Sequence, residues 1–334
     1  MSILNDLIGT FNSAVESVTE TYNTVSTSSF SNRAIQVNGQ TIWITKLLSE
    51  GGFSQVYLAE NRQKELFAVK AIRCRLDKEA AKTAIREALI TDRFQQKGII
   101  QIIDVCMVKE QDGNKTLYII MPFYKRGNLQ DMIEKNFIGG THISERELLL
   151  LFKQICTSIQ ILAKYTNKRG ERIPYAHRDI KPANILLSDD GTMPVLMDFG
   201  SAKPARIYIE NKKSAIVEQD DAAEHCSMPY RAPELFSVEP DSLLTEKVDI
   251  WSLGCTLFAV AYGTSPFEMT INQQGGTLPL AILNRQFSFP YNQQHYSKEF
   301  QNFISWMLTT DPDRRPSIDH VLLALDKLMN KTPS

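Results

Sequence analysis

His177-Arg178-Asp179-Ile180-Lys181-Pro182-Ala183-Asn184, with Asp198-Phe199-Gly200 fourteen residues beyond Asn184, is the stretch that decides how this 334-residue chain is read. Its residue types form a set suited to handling phosphate. The carboxylate of Asp179 can take the proton of a hydroxyl that attacks a terminal phosphate. Lys181, two residues on, can neutralise charge that builds on that phosphate, and Asn184, five residues on, can reach a metal ion. Asp198 offers carboxylate oxygens, the ligands that a hard cation such as Mg²⁺ takes. Phe199 is expected to pack under a helix, and Gly200 permits the turn. His177 reads as a packed structural histidine. Both strings at this spacing are not a chance pairing.

Upstream lie the groups that would hold the rest of a nucleotide. Glu50-Gly51-Gly52-Phe53-Ser54-Gln55-Val56 is a glycine-rich turn between two strand-like runs. Backbone N–H groups of such a turn can approach phosphate oxygens because little side chain intervenes. Taken alone, a tight hairpin accounts for it better. Ala68-Val69-Lys70 follows, and a lysine between strand residues needs a partner if it is buried. Glu87, 17 residues later on a helix with Ala80, Ala84, Thr91 and Phe94 on its face, is that candidate. Downstream, Ala232-Pro233-Glu234 closes the segment that begins at Asp198. Arg315 is expected to pair with Glu234, and Asp249, heading an apolar helix, to anchor the backbone of the 177–184 loop. Arg178 beside Asp179 suggests control by a negative charge from residues 201–231.

Hydrophobic residues make up 43% and charged residues 22%, as in globular chains. The net charge of −1, from 37 basic and 38 acidic side chains, gives no reason to expect nucleic acid as a partner. Five scattered cysteines without a C-x-x-C pair suggest neither zinc nor a disulfide framework, and fit a reducing cytosol. Strands are expected at Thr41–Leu48, Gln55–Ala59, Leu66–Arg73, Ile99–Val108 and Leu117–Met121, with one helix over Glu79–Phe94. Helices prevail from Asn128 onward. Ser144-Glu145-Arg146-Glu147 is a capping box that opens a helix to about Tyr165, and Lys247–Gly263, Lys298–Leu308 and Ser317–Met329 follow. The fold class is α+β: a small antiparallel β-rich lobe with one helix over 41–121, a hinge at 122–126, and a larger, mainly helical lobe over 127–330.

This motif set is a known signature, and residues 41–330 resemble the eukaryotic protein kinases. Within them the chain resembles the numb-associated kinases, closest to their lipid-anchored Golgi serine/threonine kinase branch. The strings Glu50-Gly51-Gly52-Phe53-Ser54, Pro122-Phe123-Tyr124-Lys125-Arg126-Gly127, Tyr175-Ala176-His177-Arg178-Asp179, Pro194-Val195-Leu196-Met197-Asp198 and Tyr230-Arg231-Ala232-Pro233-Glu234-Leu235-Phe236-Ser237-Val238 carry the likeness. The resemblance implies transfer of the γ-phosphate of Mg-ATP to serine or threonine of protein substrates, with autophosphorylation in the activation segment. It implies catalytic roles for Asp179, Lys181 and Lys70. It implies an ATP site that includes Gly51, Gly52, Val56, Ala68, Lys70, Glu87, Met121, Phe123, Asn128, Asn184 and Asp198, with Asn184 and Asp198 on the metal. Met121 would guard the back of the adenine pocket. It also implies an extra helix late in the activation segment, read at Ser214–Cys226. Ser227 would carry a hydroxyl that bridges Asp179 and Lys181. Ser214, Ser227 and Tyr230 are candidate phosphorylation sites.

The chain departs from the pattern in places. Ser49 and Ser54 stand where the first and third glycines of the phosphate loop would be. They are the only support for a second reading, a nucleotide-binding pseudokinase scaffold. A small-molecule kinase is disfavoured by Ala232-Pro233-Glu234 and the Asp249 helix. Ser2 follows Met1 and no cysteine precedes Cys74, so the lipid signal of that branch does not carry over. Residues 1–35 form a Ser/Thr-rich tail, in which Leu4, Leu7, Phe11, Val15, Val18, Tyr22 and Val25 recur at roughly helical spacing. An amphipathic helix on a membrane or on the kinase body and a loosely ordered tail both fit. Membrane contact through residues 1–33 would therefore lack a lipid anchor. The expected location is cytoplasmic, with peripheral attachment to Golgi or other endomembranes left open. Tyr165–Pro174 reads as a basic insertion.

Overall fold

The computed structural model describes residues 33–37, 39–51, 54–74, 78–110, 113–291 and 295–331. The tail, with its amphipathic reading, lies outside the described residues up to position 32, as do Gly52 and Phe53 of the glycine-rich turn. The chain divides into two compact units, Met1–Gln96 with Ile100–Phe123, and Lys97–Ile99 with Tyr124–Ser334.

The first unit is one antiparallel sheet and a helix. Its strands are β1 (Ala34–Val37), β2 (Gln40–Glu50), β3 (Ser54–Glu60), β4 (Leu66–Cys74), β5 (Asp104–Lys109) and β6 (Lys115–Pro122), and the helix α1 spans Lys78–Arg93. The order is β1-β2-β3-β4-β6-β5. Strand alternation divides the side chains between two faces. Ile35, Ile42, Ile44, Tyr57, Ala59, Val69, Ala71, Tyr118 and Ile120 form one buried cluster. The alternate residues Ile72, Cys74, Leu117 and Ile119 pack with Ala84, Ile85 and Ala88 of α1 in another. This parity turns Lys70 toward the helix. Arg33 joins the start of β1 to Glu110 at 2.7 Å and lies over the Tyr118 ring. The apolar run Ile99–Val108 is strand only from Asp104 on, and Ile99 belongs to the second unit, where it makes a single bridge to Leu196. Ile99 and Ile100 are buried all the same, so their apolar character reports burial rather than strand.

The second unit is mainly helical. Helix α2 (Leu129–Gly139) opens on a capping box between Asn128 and Asp131. The expected Ser144–Glu147 capping box opens α3 (Glu145–Ala163). Short strands β7 (Tyr175–Ala176), β8 (Ile185–Leu187) and β9 (Pro194–Leu196) carry the functional loops. Strands β10 (Lys203–Pro204) and β11 (Ile207–Ile209) lead into α4 (Lys212–His225), the extra helix expected in this segment. After β12 (Ser242–Leu244) comes α5 (Lys247–Tyr262), buried from Val248 to Tyr262. It is the long apolar run of the sequence, and it is core. Helices α6 (Pro266–Gln274), α7 (Leu278–Leu283), α8 (Lys298–Met307) and α9 (Ile318–Met329) complete the unit. The 165–174 insertion is a small hairpin: Thr166 bridges Arg172, and the Asn167 side-chain oxygen accepts from the N–H groups of Arg169 and Glu171. No helix among the described residues is long and apolar enough to cross a membrane.

Candidate active site

In the first unit Lys70 lies in β4, opposite Val56 of β3 on one side and Ile119 of β6 on the other. Its backbone is thus fixed by ladders on both edges. Its Nζ donates to Glu87 Oε1 at 2.6 Å, and both side chains are about nine-tenths buried. Ala68 is two residues along, on the same face, opposite Met121. The turn before β3 is closed by Gly51 N–H donating to Ser54 O at 2.8 Å, and Ser49 faces Val56 across β2 and β3. Phe123 ends this unit.

The 177–184 loop, in the second unit, runs from β7 to β8 and makes few ladder bonds of its own, so it is pinned from beneath. Asp249, buried in α5, accepts from the N–H of His177 at 2.7 Å and from the N–H of Arg178 at 2.8 Å. Burial raises the pKa of the Asp249 carboxyl, against the pull of His177, Arg178 and the two N–H bonds. Those bonds also hold Arg178 in the left-handed region, at φ +69°. Such a backbone costs about 1–3 kcal/mol for a residue with a side chain. Asp198 is in the same region, at φ +65°. His177 contacts Met197 O through Nε2 at 3.1 Å and packs edge-on against Phe199, which fits its structural reading.

Asp179 sits at the centre of a small network. Its Oδ1 accepts from Ser227 N–H at 2.9 Å. Its Oδ2 meets Lys181 Nζ at 2.8 Å and Asn184 Nδ2 at 2.9 Å. Asn184 Nδ2 also donates to the Asp179 backbone carbonyl at 2.8 Å. With its amide nitrogen committed to Asp179, the oxygen of Asn184 is the atom suited to a cation. Met197 N–H donates to Asn184 O at 3.0 Å, which brings the residue before Asp198 onto Asn184. An amide oxygen and a carboxylate are hard donors, the set that fits Mg²⁺. Ser227 bridges Asp179 and Lys181 differently from expectation. Its hydroxyl takes a bond from Lys181 at 2.6 Å, and it reaches Asp179 through its backbone N–H.

Arg315, wholly buried, makes a two-pronged pair with Glu234 at 2.7 and 2.8 Å and lies over the Trp251 ring. The Arg178 guanidinium meets Glu218 at 3.1 Å, and Lys203 donates to Glu218 and to Asp221. Burial weighs most on Asp221 and works to raise its pKa, yet Lys203, Arg178 and His225 together hold it below the usual range. Sequence reading anticipated a negative charge for Arg178 but not these residues, because nothing in the spacing sets Lys203 beside Glu218. Asn128, expected at the nucleotide, accepts from Asp131 N–H with its side-chain oxygen as a helix cap. Ser214 is engaged in the cap of α4, and burial pushes the Tyr230 phenol up.

A β-rich unit with a lysine–carboxylate pair and a helical unit with this Asp–Lys–Asn loop define a nucleotide-dependent phosphotransferase. The chain belongs to the protein kinase family: the protein kinase domain model matches residues 43–324. It is 36% identical to serine/threonine-protein kinase ppk13 of Schizosaccharomyces pombe, over 90% of this chain and 94% of that one. It is 37% identical to serine/threonine-protein kinase 16 of Homo sapiens, over 89% and 92%. Serine/threonine-protein kinase ENV7 of Saccharomyces cerevisiae is 33% identical, over 90% and 95%. These relatives are consistent with the numb-associated branch expected from the sequence. The protein is a serine/threonine protein kinase of the two-lobed α+β fold, acting on proteins with ATP.

Proposed function

We propose that Asp179 is the catalytic base of γ-phosphate transfer to serine or threonine hydroxyls. The observation that carries this is the convergence of Ser227, Lys181 and Asn184 on its carboxylate. Asp179 takes the hydroxyl proton as that oxygen bonds to the γ-phosphorus and the bond to the β-phosphate oxygen breaks. Lys181, already at hydrogen-bond distance from Asp179, offsets negative charge on the moving phosphoryl group. Asn184 and Asp198 would hold the metal. Mg²⁺ supplies charge neutralisation between the phosphates when bound. Lys70, aimed by Glu87, holds the α- and β-phosphates, with the N–H group of Gly51 against the phosphates.

Val56, Ala68 and Met121 line the adenine site in this reading, with the backbone around Phe123 as its hydrogen-bonding edge. The kinase domain runs from 41 to 330, with its hinge at 122–126. The family match over 43–324 and the change of unit at Phe123–Tyr124 support those limits. The protein phosphorylates itself in its activation segment.

Mass spectrometry of the purified chain, alone and with a generic basic protein after incubation with Mg²⁺-ATP, tests the reading. Phosphoserine or phosphothreonine in either protein, lost on chelation of the metal, is expected. Nucleotide binding with no phosphate in any peptide would leave the scaffold reading standing instead.

A further inference from the structure

Three arginines are buried among the described residues, Arg178, Arg231 and Arg315, and two of them have carboxylates. Arg315 pairs with Glu234, and Arg178 with Glu218 and Asp221. Arg231, 6% exposed, has no carboxylate partner among the described residues. Its Nη2 donates to two backbone carbonyls, Cys226 O at 2.7 Å and Ala223 O at 3.2 Å. Its Nε is buried and bonds nothing, and its guanidinium lies over the Phe236 ring, 4.8 Å from the centroid. Carbonyls and a ring face carry partial charges, not a counter-ion. A buried cation without an anion is costly by several kcal/mol. Burial draws the Arg231 pKa down, against the pull of Cys226 and Asp179.

The acids nearest in the network are already engaged. Asp179 accepts from Ser227 and Asn184 and pairs with Lys181, and Glu234 holds Arg315. The place of Arg231 shows what can bring an anion to it. Its bond to Cys226 O sets the guanidinium one residue from Ser227, whose N–H holds Asp179 and whose hydroxyl takes the bond from Lys181. From Ser227 the chain makes one 3₁₀ turn, Met228–Tyr230, and comes back to Arg231. Ser252 Oγ donates to Tyr230 O at 2.8 Å and pins that turn to α5. The Met228 side chain on the turn is 41% exposed. A hydroxyl that gives its proton to Asp179 must come within hydrogen-bond reach of that carboxylate. The substrate residues flanking the hydroxyl then pass over the strip from Ser227 to Arg231.

We propose that Arg231 is a specificity-determining residue that takes the carboxylate of an aspartate or glutamate flanking the acceptor, so that this kinase selects protein substrates that are acidic beside the phosphorylated serine or threonine. This rests on the reading of Asp179 as the base. The arriving carboxylate accepts from guanidinium N–H that the backbone carbonyls leave free, a charge-assisted bond. Arg231 touches the flanking side chain and none of the reacting atoms.

The test uses the full chain and serine peptides that are alike except for a single glutamate, moved one position at a time along both flanks. A peptide with glutamine in every flanking test position is the reference. Wild type should favour the peptide with glutamate at one position close to the serine by about ten- to a hundredfold in kcat/KM, the scale of one charge-assisted hydrogen bond. Lysine at that position should make a poorer substrate than the reference. Arg231→Gln should bring the glutamate-to-reference ratio to about one. Arg231→Lys, which keeps the charge without the planar fork, should leave a reduced preference. Each ratio is taken within one enzyme, so a general loss of activity in a variant does not enter it. A wild type that labels the reference peptide and is indifferent to glutamate at every position would overturn the inference and leave the reading of Asp179 standing. A preference that survives Arg231→Gln undiminished would overturn it as well. If Arg231→Gln fails to fold, the peptide series on wild type and on Arg231→Lys still decides. A wild type that labels no peptide at all would strike the reading of Asp179 and this inference with it.

Discussion

Lys70 and Asp179 are held by two kinds of support. Lys70 sits mid-strand, its backbone held by Val56 on one side and Ile119 on the other, and its side chain is aimed by the ion pair with Glu87. Asp179 sits in a loop with left-handed backbone at its neighbour Arg178. Its position is imposed by a buried carboxylate beneath, by donors to both of its own oxygens, and by a helix of the activation segment. A strand residue needs only its side chain directed, because the sheet has already fixed its backbone. A loop residue needs its backbone fixed as well, and that takes buried polar groups whose loss unfolds as well as inactivates.

The contrast can be broken by substitution. Asp198→Ala should have the largest effect, removing metal-dependent transfer by about a thousandfold or more, since charge stabilisation on the phosphates is the main catalytic term. It is read as initial rate at saturating ATP. Lys70→Ala should lower kcat/KM by about a hundredfold or more while thermal unfolding shifts by only a few degrees, because the ladder around residue 70 is intact. A collapse of stability in this variant would show that the sheet depends on the ion pair. Asp249→Ala should show the reverse balance. It leaves two buried N–H groups without their acceptor, at about 1–3 kcal/mol each, and urea unfolding should register that loss together with a slower enzyme. An Asp249→Ala protein as stable as wild type would remove the distinction drawn between the two sites.

Much of this was legible in the letters. The Asp249 anchor, the Arg315–Glu234 pair and the Lys70–Glu87 pair follow from residue types at fixed offsets, the extra helix near 214–226 follows from the family resemblance, and each has its counterpart in the fold. Helices 129–139 and 266–274 were not read, although Asn128 with Asp131, and Ser265-Pro266 with Glu268, are start signals. Their apolar faces are short and the pattern between caps is weak. Ile99–Ile103 looked like strand because a short buried run has no period of its own. The Lys203–Glu218–Asp221 cluster had no signal at all. Its acidic residues look like a solvated face until strand β10 brings a lysine and the loop brings an arginine beneath them.

The most direct measurement is phosphate incorporation from labelled ATP into a protein substrate by wild type and by Asp179→Asn, at equal folded concentration. The amide cannot accept the proton, and the account predicts a loss of about a hundred- to ten-thousandfold with ATP binding retained. Equal incorporation by the two proteins would contradict it.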